Sequence, residues 1–243
     1  MTKTLSASAP PALPTRRALL LSAAAVGALA LSGCGSLLSP SNPPAQIYVL
    51  DPSFTASGGP AVDWALVVTQ TDVPNVYDTE RVAIVRNETM DYYANTQWTD
   101  STPRLLQSLF VEAFEKSGRI KAVARDSGGV HGDYVLTTEI RHFEAVYDNG
   151  DGAPEVRVDI VAKLLALPRH DVIATHETPQ KVRASANSIP AVVQAFNQAT
   201  GLAIGDIVTW ALGAPGGSAV AQDTSSPTAS APATHHRRRR HHS

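Results

Sequence analysis

Between residues 45 and 212 the spacing of apolar positions changes several times, and each change marks an element. Ile47-Tyr48-Val49-Leu50, stopped by Asp51-Pro52, reads as a short strand. A loop with Gly58-Gly59-Pro60 leads to a second strand candidate at 64–68. Arg81-Val82-Ala83-Ile84-Val85 is apolar on both sides, as a central strand is, and the aromatic-rich stretch 90–98 extends as a further one. The period then lengthens. Leu105, Leu106, Leu109, Phe110, Ala113 and Phe114 form one broad helical stripe. Asp100, Ser101 and Thr102 offer caps, Pro103 suits a first turn, and Gly118 supplies the stop.

Residues 120–123 return to strand character, and Ser127-Gly128-Gly129 makes a turn. Residues 134–147 and 155–167 predict a long hairpin. In its second arm Val156, Val158, Ile160, Ala162 and Leu164 alternate with Arg157, Asp159 and Lys163. The connecting Asp148-Asn149-Gly150-Asp151-Gly152 is turn chemistry, since its acidic spacing does not fit a calcium loop. Residues 171–175 read as another strand that can continue to Arg183. Val192, Phe196, Ala199, Ala203, Ile207 and Trp210 place a last helix from about Asn187-Ser188 to Trp210. The expectation is a single α/β domain: a mixed β-sheet of six or seven strands covered by two main helices.

The N-terminal pattern has a different logic. No acidic residue precedes Arg17, while Lys3, Arg16 and Arg17 are basic. An apolar run from Ala18 to Leu31 follows, interrupted by Ser22 and Gly27, too short to span a bilayer comfortably. It ends at Leu31-Ser32-Gly33-Cys34, which holds the only cysteine among 243 residues. One thiol forms no internal disulfide and no multi-thiolate metal site. Basic start, apolar centre and small-residue end make an export signal. Leu31, Ser32, Gly33 and Cys34 resemble the bacterial lipobox. That resemblance implies cleavage before Cys34, a diacylglyceride on its sulfur and an acyl chain on its amino group. Two or more acyl chains give stable anchoring where one is marginal. Thr15-Arg16-Arg17-Ala18-Leu19 also resembles a twin-arginine motif, although an ordinary signal carries two basic residues as well. Gly35, rather than Asp, after the lipidated residue leans towards the outer membrane, facing the periplasm.

The expected organisation is a signal peptide at 1–33, a lipidated tether at 34–44, a folded domain at 45–212 and a tail at 213–243. The tail is Ala, Pro, Gly, Ser and Thr without apolar period, ending in HHRRRRHHS, and such a composition reads as disordered. The chain has 20 basic and 22 acidic residues. Setting aside three basic residues in the leader, and four arginines with one aspartate in the tail, leaves 13 against 21. A domain with a net charge of −8 is not built to hold nucleic acid.

Tyr93 and Trp98 before Pro103, then Leu105-Leu106 and Phe114-Glu115-Lys116-Ser117-Gly118, are followed by Asp133-Tyr134-Val135-Leu136 and Ile140-Arg141-His142-Phe143-Glu144. Ala195-Phe196-Asn197-Gln198-Ala199 and Ile207-Val208-Thr209-Trp210 come last, and Tyr48-Val49-Leu50-Asp51-Pro52 opens the domain. In this order and spacing they resemble the ABC-type transport auxiliary lipoproteins, which include the paraquat-inducible protein C lipoprotein. The resemblance implies an accessory adaptor of a phospholipid-transport machine working between inner and outer membranes. Its implied partners are a substrate-binding protein with a mammalian-cell-entry (MCE) domain, an ABC permease and an ATPase subunit. A homo-oligomer is left open, and no cofactor is implied.

Catalytic motifs are scarce. There is no phosphate loop ending in Lys-Ser/Thr and no G-x-S-x-G elbow, and His176-Glu177 runs into Thr178-Pro179. His131, His142, His170 and His176 lack ligand spacing, so no metal site and no catalytic residue is assigned. The competing readings are an envelope-scaffold lipoprotein and an unfamiliar periplasmic hydrolase. Among Tyr92, Tyr93, Trp98 and Trp210, core packing is favoured. Tyr93 and Trp98 are partner-contact candidates on one condition, that they face outward together.

Overall fold

A computed structural model describes residues 44–55, 58–129 and 131–215. The leader 1–33 with its lipobox, Cys34 and nearly all of the tether and tail lie outside the described residues. Among these, eight strands and two helices follow in order: β1 (Gln46–Tyr48), β2 (Val62–Val68), β3 (Arg81–Arg86), β4 (Thr89–Trp98), α1 (Thr102–Ser117), β5 (Ile120–Arg125), β6 (Tyr134–Tyr147), β7 (Glu155–Ala166), β8 (Asp171–Arg183) and α2 (Ile189–Gly213). The fold is the α/β class expected, with eight strands where six or seven were counted.

All eight strands join one mixed sheet, and β6 organises it. One edge of β6 runs antiparallel to β7 for its whole length, and β8 pairs with the far side of β7. The other edge is shared. Its first residues pair in parallel with β2, which leads to β5, and its last residues pair in parallel with β3, which leads to β4 and β1. A strand of 14 residues is long enough to carry two shorter partners end to end.

A bulge on β6 sets which side chains enter the core. Leu136 and Ile140 pair with Leu164 and Ile160, whereas Phe143 and Ala145 pair with Val158 and Val156. β7 keeps strict alternation, so β6 must change parity, and it does so where the register shifts between Ile140 and His142. Arg141 takes up the extra position. Phe143 is thereby turned inward, while His142 and Glu144 go to the opposite face, beside Asp159 and Arg157 in register.

Both helices lie on the inner face, α2 over β7 and β8, and α1 over β5 and against α2. Pro103 stands in the first turn of α1, and Gly118 caps its end in the left-handed conformation at φ 62°. Ser101 occupies the N-cap position without a side-chain capping bond; Asp100 takes up the local donors instead, accepting from Ser101 N and pairing with Arg104. The core centres on Trp98, Phe143 and Phe196, whose rings meet at 5.1–6.4 Å in tilted and edge-on contacts. Pro179 lies inside β8, which an edge strand tolerates because it has only one neighbour to bond.

Candidate functional site

A groove of about 900 Å³ runs along α2. Asp51, Ser53 and Thr55 form one wall, and Gln194, Gln198 and Leu202 of α2 line the other. The segment after β1 is held to the helix by Asn197, whose Oδ1 accepts from Asp51 N at 2.9 Å. It also passes very close to Gly201: a methyl group there would stand 2.6 Å from Ser53 O. Glycine at 201 is therefore what lets the backbone cross the helix and shape the groove. The lining mixes hydroxyls, amides, the carboxylates of Asp51 and Asp206 and the Arg183 guanidinium with aliphatic surface from Val182, Ala191 and Leu202.

Asp206 is tied to β8. His176 Nε2 meets its Oδ2 at 2.8 Å, and the imidazole stacks on Trp210 with ring centroids 5.2 Å apart. The second histidine–carboxylate pair is on the outer face, where His142 Nδ1 lies 2.9 Å from Glu144 Oε1. Glu144 is almost fully buried, beneath Tyr77 of the β2–β3 crossover. Next to it Asp159 keeps one buried oxygen without a hydrogen bond, and burial, then the Glu177 charge, raises its pKa. Among the described residues no three histidine, cysteine or acidic side chains are grouped so as to hold a metal.

The two aromatics selected from the sequence do not face outward together. Trp98 is 1% exposed and packs in the core, so it offers a partner no surface. The reason is the parallel pairing of β1 with β4, which puts Trp98 beside Tyr48 under α2. Tyr93 is half-buried, and its hydroxyl lies 2.9 Å from that of Tyr147, which donates to Asn187 just before α2. Burial, then the hydrogen bond to Tyr147, pushes the Tyr93 hydroxyl well above the usual tyrosine range. Tyr93 links the sheet to the helix entry. Cys34, Leu31, Ser32 and Gly33 lie outside the described residues.

The acidic turn between β6 and β7 is engaged by arginine. Arg183 forks onto Asp148 and holds its carboxyl down at about 2, while Arg86 reaches Asp151 at 3.0 Å. Sequence reasoning missed the groove altogether. Its sequence signal is Gly201 and Gly205, one turn apart inside the helical pattern.

A family model described as the ABC-type transport auxiliary lipoprotein component matches residues 48–208. Among solved structures, a Xanthomonas campestris protein of the DUF330 family is 28% identical at a TM-score of 0.67, covering 71% of this chain and 97% of its own. A second crystal structure, of an uncharacterized protein, is 16% identical at a TM-score of 0.53 over 69% of this chain and 98% of its own, a likeness of fold. No curated protein matches significantly.

Proposed function

Because the chain belongs to the ABC-type transport auxiliary lipoprotein family, we propose that it is a lipid-anchored periplasmic adaptor of an MCE-type ABC system moving phospholipid between the inner and outer membranes. The observation that carries this reading is the family match across nearly the whole folded domain. Cys34 is the anchor, after removal of residues 1–33, and residues 34–44 tether the domain to the outer membrane. The folded unit is 45–212, followed by the low-complexity tail. An accessory role fits a domain whose groove along α2 is open rather than a closed reaction chamber. Hydrolysis of ATP belongs to a partner, since the sequence has no phosphate loop.

The test is affinity capture of the tagged, lipidated protein from detergent-solubilised envelopes, with Cys34→Ser as the anchoring control. Recovery of an MCE-domain protein with its permease and ATPase is the expected result. A properly lipidated protein that recovers none of them overturns the adaptor reading. Peptidoglycan or other envelope proteins in their place would favour a scaffold, and turnover of periplasmic esters or peptides a hydrolase.

A further inference from the structure

The edge of the sheet at β1 is unusually apolar. β1 pairs on one side only, with β4. Tyr48 and Leu50 turn into the core. Ile47 and Val49 project from the opposite side and are 65% and 62% exposed, the two most exposed large hydrophobics among the described residues. Natural sheet edges are commonly blunted by charge, proline or a covering loop, because an open apolar edge invites association. Here the side chains left in the open are β-branched and apolar.

What lies ahead of β1 in the chain identifies the occupant. Ile47 is 13 residues after Cys34. Fully extended, that span reaches about 45 Å at ~3.3–3.6 Å per residue. Within that reach β1 can rest on the membrane that holds Cys34, and no other strand is as near to the anchor along the chain. The folded domain's net charge of −8 gives it no overall attraction to anionic lipid. An apolar contact supported by the high local concentration of a tethered domain needs no such attraction.

We propose that β1 is a second membrane contact, with Ile47 and Val49 resting in the interfacial layer of the phospholipid leaflet that holds the acyl chains of Cys34. The inference rests on the lipid-anchor reading above. It brings the β1 end of the sheet to the bilayer and leaves β8, at the far end of the strand order, away from it. Two aliphatic side chains are too little for stable binding by themselves, so the unlipidated Cys34→Ser protein stays off vesicles.

The experiment uses the acylated mature protein in vesicles of phosphatidylethanolamine and phosphatidylglycerol. Acylation consumes the only native thiol, so Val49→Cys and Val172→Cys each introduce a single site for an environment-sensitive fluorophore. Val172 is 56% exposed on β8, five strands from β1. Circular dichroism melts confirm that both labelled variants keep the wild-type fold. Quenchers carried on the lipids are expected to quench the Val49 label several-fold more than the Val172 label, with a blue shift at Val49 alone. Equal behaviour of the two labels, whether both wet or both quenched, overturns the proposal. Mass measurement and vesicle flotation read the anchor separately. A chain without acyl groups that does not float sinks the anchor reading and this one with it. A floating chain with an unquenched Val49 label sinks this one alone.

Discussion

Tyr77 Oη donates a 2.6 Å hydrogen bond to Oε2 of Glu144, joining the β2–β3 crossover to the central strand of the sheet. The same oxygen accepts from Phe143 N at 2.7 Å, and the other carboxylate oxygen lies against His142. Glu144 is 2% exposed, so its carboxyl oxygens rely on these partners in place of water. The network fastens the crossover to the sheet face that the helices leave open. Tyr77→Phe removes a donor to a buried carboxylate and is expected to cost about 1.5–3 kcal/mol, read as a lowered denaturant midpoint at unchanged slope.

Alkaline pH tests the same bond together with a second one. Burial first, then the hydrogen bond to Glu144, raises the Tyr77 pKa beyond the usual range, and Tyr93 is raised by burial and Tyr147. A raised tyrosine favours its neutral form in the folded state. The stabilisation is complete below the unfolded value of about 10 and is lost as pH climbs through the folded one. Ultraviolet titration of tyrosinate is expected to show two of the six tyrosines resisting ionisation until the protein unfolds. Ionisation of all six in one step near the ordinary value, with the fold intact, contradicts this.

Gly201 and Gly205 are one helical turn apart on α2 and should respond oppositely to alanine. At Gly201 the added methyl group meets Ser53 O at 2.6 Å, with Pro52 Cβ at 3.4 Å, and backbone atoms must move. Gly201→Ala is expected to lose about 1–3 kcal/mol through overpacking. At Gly205 the nearest atom is Thr55 O at 3.7 Å, an ordinary contact. Gly205→Ala is expected to gain up to ~1 kcal/mol from helix propensity. Thermal melts of the two variants give the sign of each.

Trp98 separates packing from recognition. Trp98→Ala empties the centre of the ring cluster with Phe143 and Phe196 and is expected to cost about 3–5 kcal/mol. Trp98→Phe keeps most of the apolar volume and should recover much of that loss. Partner capture by the folded Trp98→Phe protein is expected to equal wild type. A selective loss of capture at wild-type stability would return the residue to an interface.

Local chemistry made several elements legible. The start and stop of α1 follow from Pro103 and Gly118, and β7 from its alternation, because each signal acts within a few residues. β6 was legible as an element but not in its parity: the bulge at Arg141 is visible only against the pairing with β7. Tyr93 and Trp98 looked alike in the sequence, and the sheet treated them differently. One became the centre of the core and the other a half-buried link to α2.

By itself the sequence determined the α/β class, the limits of α1, the turn chemistry between β6 and β7, and the order of segments that resembles the family. These depend on local backbone preference and on which side of each element is apolar. Tertiary structure alone decided that β6 serves two partners on one edge, that Tyr77 covers Glu144, that Gly201 lets the chain cross α2, and that Ile47 and Val49 are left exposed. An apolar period tells which face will be buried. It does not tell which distant segment will cover that face, because the choice is made by pairing and packing between residues far apart in the chain.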